Sequence, residues 1–267
     1  MDWLAALGEL RAAHEPGVLV TLVSVRGHAP RAAGAKMVVG AHAVWDTIGG
    51  GNLEETAVER SRAMIESGAS VPELFSLTLS DKAPAEYGVQ CCGGEVTILM
   101  EPVRTVPSVA VFGMGHVGLE LAIILSRHDL DLTLVDSRAD LLDEERLAQV
   151  KAGLARVRVC HEPVPEAVFP SLAAGTYALI LTHDHAEDLA LCESALAQDD
   201  LAYIGLIGSS SKWARFRKQL TDAGHTQEDL ERITTPIGLR DGIRAKDPAA
   251  IAVSVAADLL MRFARWS

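Results

Sequence analysis

The chain has 267 residues, 49% of them hydrophobic and 22% charged, with a formal net charge of −12. That is the composition of a globular chain long enough for two modest domains with buried cores. The acidic balance excludes a nucleic-acid or anionic-membrane partner as the default, and no apolar run approaches the roughly 20 residues of a membrane span.

Four cysteines occur, at 91, 92, 160 and 192; no C-x-x-C spacing is present, so neither a disulfide framework nor a zinc knuckle is indicated. The start, Met1-Asp2-Trp3, lacks the basic and long apolar regions of a secretory leader, which gives a cytoplasmic protein as the expectation.

Trp3, Leu4, Leu7 and Leu10 fall at helical spacing over residues 2–14, and Pro16-Gly17 ends the run. Val18 to Val25 reads as a buried strand, followed by a basic loop from Arg26 to Lys36 and a short strand, Met37 to Val39. Arg26, Arg31 and Lys36 concentrate positive charge, so the loop is either an anion contact or an ordinary solvated loop. Gly49-Gly50-Gly51-Asn52 then precedes a helix over 53–67, with Asn52 and Glu55 spaced as a capping box. Gly50 and Gly51 before a helix start suit an oxyanion nest, but they equally suit a sharp turn, and Glu54 and Glu55 would repel an anion. Leu74 to Leu79 is expected as a strand. Cys91-Cys92-Gly93-Gly94 precedes another, Val96 to Met100. A thiol beside two glycines is either an exposed thiolate able to ligate a soft metal or a small buried residue.

After a linker around residues 104–108, the strand Val109 to Phe112 runs into Gly113-Met114-Gly115-His116-Val117-Gly118 and an apolar-periodic helix. A second strand, Leu132 to Val135, ends on Asp136. This is the dinucleotide-binding fingerprint in its expected context, with Gly113, Gly115, His116 and Gly118 at a phosphate and Asp136 on ribose hydroxyls. Leu141 to Lys151 reads as an acidic helix and Val157 to Cys160 as a strand. Tyr177 to Leu181 forms a further strand that delivers Thr182-His183-Asp184-His185. His183 suits a proton carrier or a ligand contact, while Asp184 equally suits a cap for the helix over 186–198. Tyr203 to Ile207 is a strand leading to Gly208 and Ser209, the latter another oxyanion contact or cap before the helix Trp213 to Ala223. Asp247 caps a last helix whose apolar face is Ile251, Val255, Leu259 and Phe263. Strands alternating with helices give a doubly wound parallel sheet in the C-terminal half. The fold class is therefore α/β: an N-terminal α/β domain over 1–104 followed by a Rossmann-like doubly wound parallel-sheet domain over 105–267.

Taken together these motifs resemble the XdhC/CoxI family, the accessory proteins of molybdenum hydroxylases. The resemblance rests on Val23 to Arg31, Gly34 to Met37, Ile48 to Gly51 with Leu53-Glu54, and Gln90 to Gly94 with Glu101-Pro102. It continues through Gly113 to Gly118, Thr182 to His185, Tyr203 to Ser209 and Pro236 to Leu239. It implies a protein that binds the molybdenum cofactor (molybdopterin), with Cys92 or Cys91 facing the metal. It further implies delivery in sulfurated form to an apo xanthine dehydrogenase. A cysteine desulfurase and molybdenum cofactor biosynthesis proteins would be partners, and the chain would form a homodimer. Arg26, Lys36, Gly50 and Gly51 join the C-terminal residues as expected cofactor contacts. The other function the fingerprint allows is an NAD(P)-dependent oxidoreductase with Arg138 near a 2′-phosphate, and a third is a docking adaptor without a ligand.

Overall fold

The computed structural model describes residues 1–79, 94–103, 105–239 and 247–263. The chain divides into two compact units, Met1–Thr105 and Val106–Ser267.

In the first unit, Asp2 caps α1 (Trp3–Ala13) by accepting from the Ala5 amide at 2.8 Å. Strands β1 (Gly17–Arg26), β2 (Lys36–Gly40) and β3 (Val44–Asp46) follow, then α2 (Gly51–Glu66), β4 (Glu73–Leu79) and β5 (Gly94–Val103). The sheet order is β3-β2-β1-β5-β4, and every pairing is antiparallel. Alternation sets the core: Val18, Val20 and Leu22 on β1 and Val96, Ile98 and Met100 on β5 face Leu53, Ala57 and Met64 of α2. Leu10 of α1 packs on Val38.

The expected Asn52 cap is corrected here. The helix starts two residues earlier, with Gly50 as its N-cap and no side-chain cap bond; Gly50 and Gly51 hold φ of 72° and 62°. Glu54 takes over that task, accepting from the amides of Ile48 and Gly50, both at 3.2 Å, and from the Thr47 hydroxyl. A carboxylate one turn into the helix reaches more of these donors than an amide at position 52.

The second unit opens with β6 (Ser108–Phe112), α3 (His116–Leu125), β7 (Asp131–Asp136), α4 (Glu144–Lys151) and β8 (Arg156–His161). It continues with β9 (Tyr177–Ile180), α5 (His185–Leu196), β10 (Tyr203–Leu206), α6 (Ser210–Asp222), α7 (Gln227–Glu231), β11 (Ile233–Thr234) and α8 (Pro248–Phe263). The order across the sheet is β8-β7-β6-β9-β10-β11, all parallel, or 3-2-1-4-5-6 counted from the first strand of the unit. Successive side chains serve opposite layers. Val109 and Val111 join the cluster under α3, α4 and α8, while Ala110 and Phe112 join the one under α5, α6 and α7. Phe112 stacks on Phe169 from a 3-10 stretch, Pro165–Ser171, with ring centroids 4.8 Å apart.

The expected acidic helix over 141–151 is broken. Asp143 takes an extended conformation (φ −61°, ψ 146°), separating a 3-10 turn, Ala139–Leu142, from α4. An aspartate followed by two glutamates is better placed at a helix start, where the dipole favours negative charge, than inside it.

Candidate functional site

Four strand ends meet at the carboxyl edge of the parallel sheet. Gly113 follows β6 at φ 102°, and a Cβ there would lie 2.6 Å from the Leu181 carbonyl oxygen, so the turn is pressed against the end of β9. A Cβ on Gly118 would lie 2.0 Å from the Gly113 oxygen, which is how α3 comes close enough to the sheet. Gly115, the N-cap of α3, differs from both. Its φ is −63°, and a Cβ would meet nothing within 4 Å. Among the described residues no acceptor takes the amides of Gly115, His116 and Val117. Unfilled amides, open space and the positive end of a ten-residue helix make an anion cradle. His116, the first residue of that helix, is exposed beside it.

Asp136 does a different job from the one its position suggests. It is buried, at 2% exposure, and its oxygens accept from the Met114 amide (2.7 Å), the Arg138 amide (2.9 Å), Arg138 Nε (2.9 Å) and Arg138 Nη2 (3.1 Å). A carboxylate with about four acceptor positions has none left for a ribose. These bonds make Asp136 a brace that ties the glycine turn to the end of β7. Arg146 adds to it by donating to the Met114 carbonyl at 3.0 Å.

Burial pushes the Asp136 pKa up, but the Arg138 guanidinium and the two amides outweigh it and hold the carboxyl below its usual range. The stabilisation is therefore complete above the ordinary carboxylate pKa and disappears as pH falls through the lowered folded value. Asp136→Asn is expected to lose about 1.5–3 kcal/mol at neutral pH. In urea unfolding the gap between variant and parent should close as the solution is acidified into the carboxylate range, and a gap independent of pH would show that the charge is not what matters.

At the end of β9 the side chains are exposed and mostly serve the next helix. Asp184 caps α5, accepting from the amides of Ala186 (2.6 Å) and Glu187 (3.0 Å), and these bonds lower its pKa. His183 is exposed. His185 Nδ1 lies 2.9 Å from Arg215 Nη2, and since arginine only donates, Nδ1 is the acceptor and the proton sits on Nε2. Ser209 caps α6 by accepting from the Lys212 amide at 3.3 Å.

Two residues stand out that sequence reasoning gave no role together. Asp188 of α5, fully buried, forms an ion pair with Lys212 Nζ of α6. Asp188 Oδ1 also accepts from the Thr182 amide (3.1 Å) and hydroxyl (2.7 Å), and Lys212 Nζ donates to the Ile207 carbonyl (2.9 Å). The pair clamps the ends of β9 and β10. Nearby Cys192 is fully buried, and burial, with Asp188 adding, pushes its thiol up to about 12. Cys192 is expected to resist iodoacetamide in the native protein near pH 8 and to react on denaturation, read by peptide mass spectrometry.

In the first unit the expected anion loops are largely self-satisfied. The amides of Ile48 and Gly50 already serve Glu54. Lys36 points at α1: its Nζ donates to Thr21 Oγ1 at 2.8 Å and lies 5.5 Å from the Trp3 ring. Arg26 lies 3.7 Å from Glu95, with both side chains well exposed. A Cβ on Gly94 would lie 2.2 Å from the His28 carbonyl oxygen, so the start of β5 is pressed against the Arg26–His28 backbone. Cys91 and Cys92 lie outside the described residues. Among the described residues no group of three or more His, Cys, Asp or Glu side chains is arranged to hold a metal. No helix among them is long and apolar enough to cross a membrane.

The XdhC Rossmann domain family matches residues 109–259, more than half of the chain, and the XdhC and CoxI family matches residues 10–77. The chain belongs to the XdhC/CoxI family. Among relatives of this XdhC-type chain, YqeB of Escherichia coli K12, described as an uncharacterized protein, is 25% identical over 260 residues. That alignment takes in 97% of the chain but only 46% of YqeB, so the chain spans about half the length of that relative. PaoD of the same organism, a molybdenum cofactor insertion chaperone, is 24% identical over 268 residues, which cover 91% of this chain and 82% of PaoD. A crystal structure described as a xanthine dehydrogenase from Bacillus halodurans has the same fold, with a TM-score of 0.50 at 18% identity over 99% of this chain and 96% of that one.

Proposed function

We propose that this XdhC-family chain binds the molybdenum cofactor as cargo and passes it, in sulfurated form, to an apo molybdenum hydroxylase of the xanthine dehydrogenase type. The observation that carries the reading is the open cradle at Gly115, set in a chain related over most of its length to a molybdenum cofactor insertion chaperone. The cargo carries a phosphate, and the cradle suits one: its amides are unfilled, and a Cβ at Gly115 would occupy free space. Gly113 and Gly118 shape the turn, Asp136 and Arg138 brace it from below, and exposed His116 and His183 flank the sheet edge. Cys91 and Cys92 would face the metal, a cysteine desulfurase would supply sulfur, and the carrier would work as a cytoplasmic homodimer alongside the cofactor's biosynthesis proteins. The chain's own part is to bind, orient and shield the cargo; no bond-making residue is assigned.

The test is to express the full chain in a host that makes the cofactor, purify it, and quantify molybdenum and oxidised pterin. Stoichiometric retention is expected, and a protein that carries neither, and takes up neither from a loaded donor, would overturn the proposal.

The sheet order 3-2-1-4-5-6 favours a second reading, NAD(P) binding. Saturated Asp136 opposes it, because the usual ribose acceptor is closed. Calorimetric titration with NAD and NADP separates the two, and no heat is expected from either.

A further inference from the structure

The five-stranded sheet of the first unit ends in β4, and among the described residues no strand pairs with its outer side. Proteins guard such an edge with charge, proline, a bulge or brevity, because its open backbone groups recruit another strand. The other sheet edges follow that rule. β3 has three residues and ends on Asp46 at φ 63°, β11 has two residues, and β8 carries exposed Arg156 and Arg158. β4 is unguarded. Its seven residues, Glu73–Leu79, stay in continuous register with β5, and their one charge, Glu73, is spent on Arg60 at 2.7 Å. Phe75 and Leu77 face the core yet are only half-buried, and Leu74 on the opposite face is 62% exposed.

We propose that two copies of this chain join edge to edge through β4, antiparallel, about a two-fold axis at Ser76. Placing the axis there aligns all seven residues of both strands and merges two five-stranded sheets into one of ten. An axis perpendicular to the sheet keeps each face on its own side, so core-facing residues meet core-facing residues. Phe75 then lies opposite the partner's Leu77, and each covers the part of the other that the edge leaves in solvent. On the outer face Leu74 lies opposite the partner's Thr78, and Ser76 meets its own copy. Glu73 lies opposite the partner's Leu79, so no like charges oppose each other. An extended segment of an unrelated protein would have to supply this alternation; a second copy already carries it. The guarded β3 strands form both ends of the joined sheet, so pairing stops at a closed dimer and does not run on into a filament. The proposal rests on the homodimer of the function argued above and names its surface; it does not depend on the cargo.

Sedimentation of the full chain across micromolar concentrations, with variants at positions 76 and 78, tests it. Both positions are exposed, and the Ser76 hydroxyl contacts Thr97 Oγ1 at 3.2 Å on the open face, so the variants should keep the parent's circular dichroism spectrum. The parent should sediment as a dimer. Ser76→Lys sets two like charges opposite each other at the axis and should raise the dissociation constant about tenfold or more. Ser76→Cys brings two thiols together, because directly opposed residues of antiparallel strands have Cα atoms about 4.5–5.5 Å apart, within disulfide reach. It should crosslink under oxidised glutathione beyond the level the parent's own thiols give. Thr78→Cys sets its two thiols four residues apart along the paired strands, roughly 14 Å, and should not. A monomeric parent would overturn the proposal and leave the edge to an extended segment of another protein. So would a folded Ser76→Lys protein that dimerises as the parent does, or crosslinking that is no greater from position 76 than from position 78. Molybdenum and pterin retention is read in separate preparations, so a failure of the cargo reading leaves these outcomes untouched.

Discussion

Lys212→Met is expected to destabilise the second unit by about 3–5 kcal/mol, because it strands the fully buried Asp188 carboxylate without its cation. The loss has two parts: an uncompensated charge in the interior, and an Ile207 carbonyl that loses its donor. Asp188→Asn combined with Lys212→Met keeps an oxygen for the Thr182 amide and hydroxyl and removes both charges, so it should recover about half of the deficit. A double-mutant cycle in urea supplies the coupling energy. If Lys212→Met stays within about 1 kcal/mol of the parent, the clamp contributes no more than an exposed pair. The effect should also reach the site. The pair ties Thr182 at the end of β9 to Ile207 at the end of β10, and both strand ends lead directly into edge loops. Gly208 belongs to the same device: a Cβ there would lie 2.8 Å from Lys212 Cδ, in the path of the lysine stem.

What could be read in the sequence and what could not differ in a physical way. Gly113 and Gly118 were legible because each meets backbone, one at positive φ against Leu181 and the other against the Gly113 oxygen; only glycine satisfies such contacts, and their spacing is local. The Asp184 cap was equally local, as one of two readings of its turn. Asp136 was placed correctly at the end of β7, yet its direction depends on Arg138 folding back and on the Met114 amide, 22 residues away along the chain. A spacing rule cannot supply that. Asp188 carried no signal at all, being one of several acids in the first turns of a helix, with a partner 24 residues further on. Glu54 was visible, but as a deterrent to anions; it is an internal anion, filling part of the nest the glycines build. The short helix α7 was missed although Thr226 and Asp229 form a capping box, a signal the sequence does contain.

Two glycines of one motif should separate folding from binding. Gly118→Ala would push a methyl group to 2.0 Å from the Gly113 oxygen, a backbone atom with no rotamer to escape into. Either α3 lifts from the sheet or the turn opens, and a loss of about 3 kcal/mol or more is expected. Gly115→Ala meets no atom within 4 Å and keeps an ordinary φ of −63°, so it should lose only the modest preference of an N-cap for glycine over alanine, up to about 1 kcal/mol. The same methyl group would stand where an anion approaches the amides of Gly115, His116 and Val117. Retained molybdenum and pterin should therefore fall about tenfold or more in Gly115→Ala while its melting temperature stays near that of the parent. A Gly115→Ala protein that melts normally and still holds its full complement of cofactor would remove the phosphate from this turn. Gly118→Ala loses cofactor under any reading, since it damages the turn itself; only the 115 position, where structure asks for no glycine, reports on the ligand.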